Sequence, residues 1–273
     1  SSCIVWQQFW VSICIAPHRV CRVRHKTMSI YNKENVIADK FIRSEVDRMS
    51  FVWDGLCYAS MRNDLIKKAE EMYLSMEPRI VFLGKEPNGN ALEDYRDWKW
   101  AERPSQGRIF GDSIALWAEG LNRTHETKRP AIVSQLHQNR EIFSSLPVCI
   151  VNVKKTEGAN KSDWHMIRNA ANENAAPLRE QLSLYSPNVI VCMGSTQNAK
   201  DSMLYIVKTY IYPDLIFRKI NNWCHYCREK DLLLIDSWHP SYILNEKEKF
   251  DDMFEAYCEF LNLKDTLKQT DEL

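Results

Sequence analysis

A three-layer α/β/α sandwich, built on a central, mostly parallel four-stranded sheet, is the fold this sequence predicts. Four short apolar runs, at 79–83, 147–153, 189–193 and 232–235, are bounded by glycine, proline or polar residues, as buried strands are. Stretches with apolar residues at helical spacing lie between them. Apolar runs alternating with helices imply parallel strands covered on both faces. At 273 residues and 45% apolar content, the chain can bury a sizeable core.

Taken in order, residues 35–76 read as helical, with Ile37, Phe41, Val46 and Phe51, then Leu65, Ile66, Ala69 and Met72, carrying the apolar spacing. Pro78 punctuates, and the first strand, 79–83, stops at Gly84. A polar, Trp-rich loop spans 88–108, and 110–121 is apolar at helical spacing. The second strand, 147–153, leads into a polar loop ending at Asp163. Residues 173–185 read as a helix. Pro187 introduces the third strand, which Gly194 closes, and Ser195 suits the N-cap of a helix after it. The fourth strand, 232–235, precedes a final amphipathic helix at 246–262. No repeat, low-complexity tract or glycine-rich phosphate loop interrupts this pattern.

Residues 28–273 are expected to form one domain: a helical N-terminal part (28–76), a core carrying the motifs (77–262) and a polar tail (263–273). Residues 1–27 differ in character and read as a non-native or upstream extension. Their apolar part is too short to span a bilayer. Their positive charges follow the apolar run, the reverse of a secretory signal. A membrane-surface anchor is the alternative. The expectation is a cytoplasmic protein without a membrane partner, and a monomer; protein partners are not indicated.

Charge is balanced, 36 basic against 36 acidic residues, so no nucleic-acid partner is announced globally. Residues 120–168 nevertheless carry eight basic residues (Arg123, Lys128, Arg129, Arg140, Lys154, Lys155, Lys161, Arg168) and four acidic ones, and 245–273 carry nine acidic and four basic. A basic middle can face a polyanion while an acidic tail cancels it in the sum, although ordinary solvated faces give the same count. Nine cysteines, an odd number without a regular framework, suit reduced thiols. Cys224 and Cys227 form a lone C-x-x-C with His225 between them. That reads either as metal or redox chemistry or as two thiols near a turn.

Chemistry in an open α/β sheet collects beyond the carboxyl ends of the strands. Two candidates sit there: Glu86 in 79-RIVFLGKEPNG-89 and His239 in 231-DLLLIDSWHPSY-242, 239 − 86 = 153 residues apart. The ordered motifs are GKEPNGN (84–90), GRIFGDSIALW (107–117), IVNVKKTEGANKSDW (150–164), NVIVCMGS (188–195) and SWHPSY (237–242). In this order and spacing the chain resembles the uracil-DNA glycosylase superfamily over roughly residues 75–262.

The resemblance implies a monofunctional DNA glycosylase that flips a pyrimidine nucleotide out of DNA, hydrolyses its glycosidic bond and leaves an abasic site. Glu86 falls where several branches hold the water-activating acid, and His239 matches the histidine that donates to the base's O2. Phe110 matches the aromatic that stacks on the extruded base, though a core aromatic opening a helix looks the same. Asn152 falls where the family reads the base's Watson–Crick edge, and an amide can turn to suit uracil or cytosine. Ser241 is placed for a DNA phosphate and Ile243, or Leu244, for the wedge that fills the vacated stack. Lys154 and Lys155 join the candidate DNA-binding residues.

Departures from the family matter. Strict uracil enzymes carry a tyrosine directly after the motif proline; here Asn88 and Gly89 follow Pro87, which opens the pocket wall at the base's C5. The iron–sulfur branch has a cysteine where Lys155 stands, so no cluster, metal or other cofactor is expected. Tyr242, not proline, follows H-P-S. Tyr95, Trp98 and Trp100 lie among charges in 91–108 and could stack on a sugar or DNA, or fold onto one another. The missing ring tilts the expectation to a hydroxymethylated or glucosylated cytosine of phage DNA, in a defence role, with uracil in base-excision repair as the alternative. No lysine is placed by the motifs as a Schiff-base nucleophile, so strand cleavage is not expected. Rival readings are a non-catalytic DNA-binding module of the same fold and an enzyme built on Cys224 and Cys227.

Overall fold

The computed structural model describes residues 28–58, 60–87, 92–97, 108–136, 145–158, 162–196 and 198–269. The extension 1–27, the residues Asn88, Trp98 and Trp100, and Lys161 therefore lie outside the described residues. Helices α1 (Ile30–Ala38), α2 (Glu45–Ser50) and α3 (Asn63–Ser75) occupy the N-terminal part, with strand β1 (Gly55–Leu56) between α2 and α3. Then come β2 (Ile80–Gly84), α4 (Arg108–Thr127), β3 (Cys149–Asn152), α5 (Trp164–Glu173), α6 (Ala175–Tyr185), β4 (Val189–Met193) and α7 (Met203–Ile206). Strands β5 (Arg218–Lys219), β6 (Cys224–Cys227) and β7 (Leu232–Ser237) lead to α8 (Asp252–Gln269).

The sheet runs β1-β3-β2-β4-β7-β6-β5. Its middle, β3-β2-β4-β7, is parallel throughout, with Phe82 opposite both Ile150 and Val191, and Val191 opposite Ile235. These are the four strands that the apolar runs predict. The sheet is nonetheless seven-stranded, because β1 pairs antiparallel with β3, and β6 and β5 add antiparallel beyond β7. The extra strands escape the sequence reading for a physical reason: β1 and β5 have two residues each, too few to display a period.

Alternation along the strands builds two cores. Val81, Leu83, Val151, Ile190 and Leu234 pack under α1, α3, α5, α6 and α7, through residues such as Ile37, Tyr73, Ile167, Leu182 and Ile206. Ile80, Phe82, Ile150, Val191 and Ile235 pack under α4 and α8, through Ile114, Trp117, Leu121, Phe254 and Tyr257. Cys224 belongs to the second core and Cys227 to the first. Residues three apart on a strand face opposite ways, so these two thiols do not converge on one ion.

Local boundaries differ from the expectation in four places. The last helix, expected to end at 262 before a polar tail, runs on to Gln269. The helical reading of 35–76 becomes three short helices and β1. The segment left as loop and helix around 163–185 is two helices: Asp163 caps α5 by accepting from the His165 N–H, and α6 follows one residue after α5 ends. Ser195 does not cap a helix. Its N–H is taken by the Ser237 carbonyl at 2.7 Å and its hydroxyl donates to Asp236, while Ser202 caps α7.

Lys155 is the clearest correction. It is 4% exposed, and its ammonium donates to Asp54 Oδ1 at 2.6 Å and to Gln181 Oε1 at 2.7 Å. Asp54 Oδ2 accepts the Asn152 N–H at 2.8 Å, and Gln181 Nε2 donates to Asp54 Oδ1 at 3.0 Å. Lys155 shares its parity with Val153 and so turns under the sheet, into the first core, instead of toward DNA. Burial pushes its ammonium down, and the Asp54 carboxylate opposes that. Removing one partner of a buried pair leaves the other charge uncompensated, at a cost of about 3–5 kcal/mol. Lys155→Ala is therefore expected to lower stability by about that amount in urea unfolding. A variant of parental stability with weakened DNA binding would return Lys155 to the interface.

Candidate active site

Because β2, β3, β4 and β7 are parallel, their carboxyl ends share one rim, in the order Asn152 on β3, Gly84–Glu86 on β2, Gly194 on β4 and Ser237–His239 on β7. The ladder continues past β2 and β3, with Val153 N donating to Gly84 O and Lys154 N to Lys85 O. Glu86 thus leaves the sheet beside Lys154. Lys154 Nζ donates to Glu86 Oε2 at 2.9 Å and to the Glu157 carbonyl at 2.7 Å. The Glu86 side chain is 7% exposed, and its second oxygen, Oε1, is buried with no hydrogen-bond partner among the described residues. Gly158 lies against the carboxyl so closely that a Cβ there would overlap Glu86 Cδ and Cγ, and its N–H donates to Pro87 O at 2.9 Å. The acid is therefore clamped from two sides by the 154–158 turn.

His239 is half-buried at the far side of the rim. Its Nδ1 accepts the Ser241 N–H at 3.2 Å. In the neutral ring the proton then resides on Nε2, which is left to donate. Burial first, then the neighbouring Lys85 and Lys249 charges, push its pKa down from 6.5 to about 4. The loop that holds it is fixed by buried contacts: Lys249 Nζ donates to the Pro240 carbonyl at 2.5 Å and to the Tyr242 carbonyl at 2.9 Å, and Ser113 Oγ of α4 donates to Pro240 O at 2.9 Å. Phe110, at the start of α4, lies with its ring centroid 6.1 Å from that of His239, and Tyr242 6.0 Å from it on the same loop.

Asn152, 6% exposed, ends β3 opposite Gly84. A Cβ at position 84 would sit 2.7 Å from Asn152 Oδ1, so glycine leaves room for the amide to lie across the end of β2. Ser241 is exposed, and Ile243 is 88% exposed beside it. The rim thus gathers Glu86, Lys154, Asn152, Phe110 and His239, with Ser241 and Ile243 at its solvent edge. Lys154 belongs to the carboxylate clamp, and Lys155 is not at the rim.

A family model described as the uracil DNA glycosylase superfamily matches residues 71–262. This chain belongs to the uracil DNA glycosylase superfamily. No curated protein matches it significantly. Superfamily membership carries a DNA glycosylase-type function, with DNA as the partner. No helix among the described residues is long and apolar enough to cross a membrane. The superfamily match contains the whole rim but begins after α1, α2 and β1, so Asp54, which holds the Asn152 backbone, lies outside it.

Sequence reasoning missed Lys249, Ser113, Gly158 and Asp54. Lys249 sits in an acidic–basic run that looks like a solvated helix face, and only its 5% exposure reveals its role. Gly158 sits in a polar loop where any small residue reads alike. The loop before α4 also has an unexpected anchor: Arg96, 2% exposed, pairs with Glu34 at 3.2 Å and Asp94 at 2.7 Å and lies over the Tyr31 and Trp53 rings.

Two measurements follow. In a histidine NMR titration, His239 is expected to stay uncharged until about pH 4. An unfolded histidine takes up its proton near 6.5, so the unfolded state binds more protons between those values, and this ring's contribution to stability falls as pH drops from 6.5 toward 4. A His239 midpoint near 6.5 would contradict the buried, Lys-flanked ring. Gly158→Ala is expected to displace the Glu86 carboxyl, seen as a shifted Glu86 side-chain resonance with the far core resonances unchanged.

Proposed function

We propose that this chain hydrolyses the N-glycosidic bond of a flipped pyrimidine nucleotide in DNA, leaving an abasic site, and that its substrate is a cytosine modified at C5 by a hydroxymethyl or glucosyl group. The observation that carries the base-excising reading is the state of His239, a neutral ring with its N–H at Nε2, on the same rim as the clamped carboxylate of Glu86. Their strands, β2 and β7, are separated only by β4, and strands lie about 4.8 Å apart, so the two backbones stand roughly 10 Å apart. On this reading the flipped nucleoside lies between the side chains that reach inward from these two strand ends.

Breaking the bond puts positive charge on the sugar and negative charge on the departing base. Catalysis is then mainly preorganised electrostatics. Glu86 lies under the sugar, stabilises the cation and orients the attacking water through Oε1, while Lys154 holds Oε2. His239 donates from Nε2 to the base's O2. A neutral donor suits this step, since it stabilises the anion without having to give up its proton. Phe110 stacks on the base, Asn152 reads its Watson–Crick edge, Ser241 holds a phosphate and Ile243 enters the vacated stack. The wider pocket at C5 is supported by Asn88 following Pro87 in sequence, with no aromatic ring to close it.

Glu86→Gln or His239→Ala is expected to lower the single-turnover rate of base release roughly 10²–10³-fold, the scale of losing one preorganised partner, while DNA affinity persists through phosphate contacts. Near-parental rates in both variants would remove the assignment. The base is tested with duplexes that each carry one candidate: uracil, hydroxymethylcytosine or its glucoside. Asn88→Tyr is expected to abolish release of the bulky base and to spare any release of uracil. Ready release of uracil with none of the C5-substituted cytosines would leave a plain uracil enzyme of base-excision repair.

A further inference from the structure

Among the described lysines at the strand ends, Lys154 is bound to Glu86, Lys155 to Asp54 and Lys249 to two backbone carbonyls. Lys85 differs. Its ammonium has no hydrogen bond or ion pair among the described residues and rests on the Trp164 ring, 5.3 Å from the centroid. The stem runs over the end of β4, where a Cβ on Gly194 would lie 3.8 Å from Lys85 Cδ. That is the strand between those of Glu86 and His239. It is coupled to both neighbours: Lys85 helps to lower the His239 pKa, and the Glu86 charge partly opposes the lowering of the Lys85 pKa by burial. A half-buried lysine with no carboxylate to hold it, beside a site that makes an aldehyde, is the usual arrangement of an amine nucleophile.

We propose that Lys85 is a Schiff-base nucleophile, giving this chain a second activity: cleavage of the DNA strand at the abasic site. The proposal rests on the base-excising reading of the same rim. Burial pushes the Lys85 ammonium below its ordinary range, which raises the share of free amine at neutral pH.

The step balances without an oxidant or reductant. The abasic sugar opens to an aldehyde at C1′. Lys85 Nζ adds to C1′, and the aldehyde oxygen leaves as water with one proton taken from solvent, giving an iminium; that proton returns to solvent when the iminium is hydrolysed. The Glu86 carboxylate takes a proton from C2′, and the electrons of that C–H bond form a double bond as the C3′–O bond breaks. One strand end departs with a 5′-phosphate. Water then adds at C1′, releasing the amine and leaving an unsaturated aldehyde on the 3′ end. One water is released and one is consumed.

The full chain is tested on a duplex carrying an abasic site made beforehand, so that base release is not required. Borohydride reduces the iminium, and the expected result is a covalent protein–DNA adduct whose peptide map places the DNA on Lys85, with strand cleavage at the site when borohydride is omitted. Lys85→Met is expected to lose the adduct and to cleave at least 100-fold more slowly. A tetrahydrofuran site, which has no aldehyde, is expected to form no adduct. Base release is measured separately, with hot alkali opening every abasic site. Base release without adduct or cleavage overturns the lyase and leaves the glycosylase standing. An adduct on Lys85 without release of any tested base sustains the lyase and removes the glycosylase reading. An adduct mapped to another amine, or a Lys85→Met defect confined to DNA affinity, overturns the proposal.

Discussion

Parallel pairing of β2 with both β3 and β4, and of β4 with β7, is the constraint on which the rest of this molecule depends. Parallel strands must all finish at the same edge, and each crossover must carry the chain back under or over the sheet. That delivers Asn152, Glu86, Gly194 and His239 to one rim, although they are spread across 153 residues of chain. Each residue leaves its strand from a fixed register, so the rim is set to the precision of the hydrogen-bond ladder. The extension of that ladder beyond β2 and β3, through Gly84 and Lys85, aligns Glu86 with the lysine that grips it.

Buried charge supports the rim from below. Asp54 receives the Asn152 N–H, the Lys155 ammonium and the Gln181 amide, which locks the end of β3 to α6 and to the segment before β1. Next to it, Glu34 accepts from the Leu56 N–H, Tyr185 and Arg96, and burial raises its pKa to about 7. Such clusters add little net stability against an apolar substitute. What they supply is position, because every group is satisfied only in one arrangement. The segment that provides Asp54 and Glu34 precedes the stretch matched by the superfamily model.

The electrostatics of the rim divide by partner. Glu86 is held by one lysine on one oxygen, and its other oxygen has no hydrogen-bond partner among the described residues. His239 remains neutral well below physiological pH, because burial, and then the nearby Lys85 and Lys249 charges, oppose its protonation. Lys249 reaches this position by burying its ammonium against two carbonyls of the histidine's own loop, which also fixes the ring's height above the sheet.

The sequence alone determined the parallel core, the two-sided burial and the place of Glu86 and His239 just past the ends of parallel strands, because these rest on apolar runs and on residues at strand ends, where period and position are local signals. It also marked Asn152 and Phe110, which stand at the boundaries of those elements. Only the tertiary structure decided the direction of the lysines. Lys154 and Lys155 are neighbours with the same chemistry, yet one clamps the candidate acid and the other is sealed beneath the sheet, a difference of strand parity that becomes meaningful only when both layers are in place. The β1 edge strand, the Ser113 brace and the closeness of Gly158 to Glu86 likewise depend on contacts across more than 70 residues of chain, for which no local spacing provides a sign.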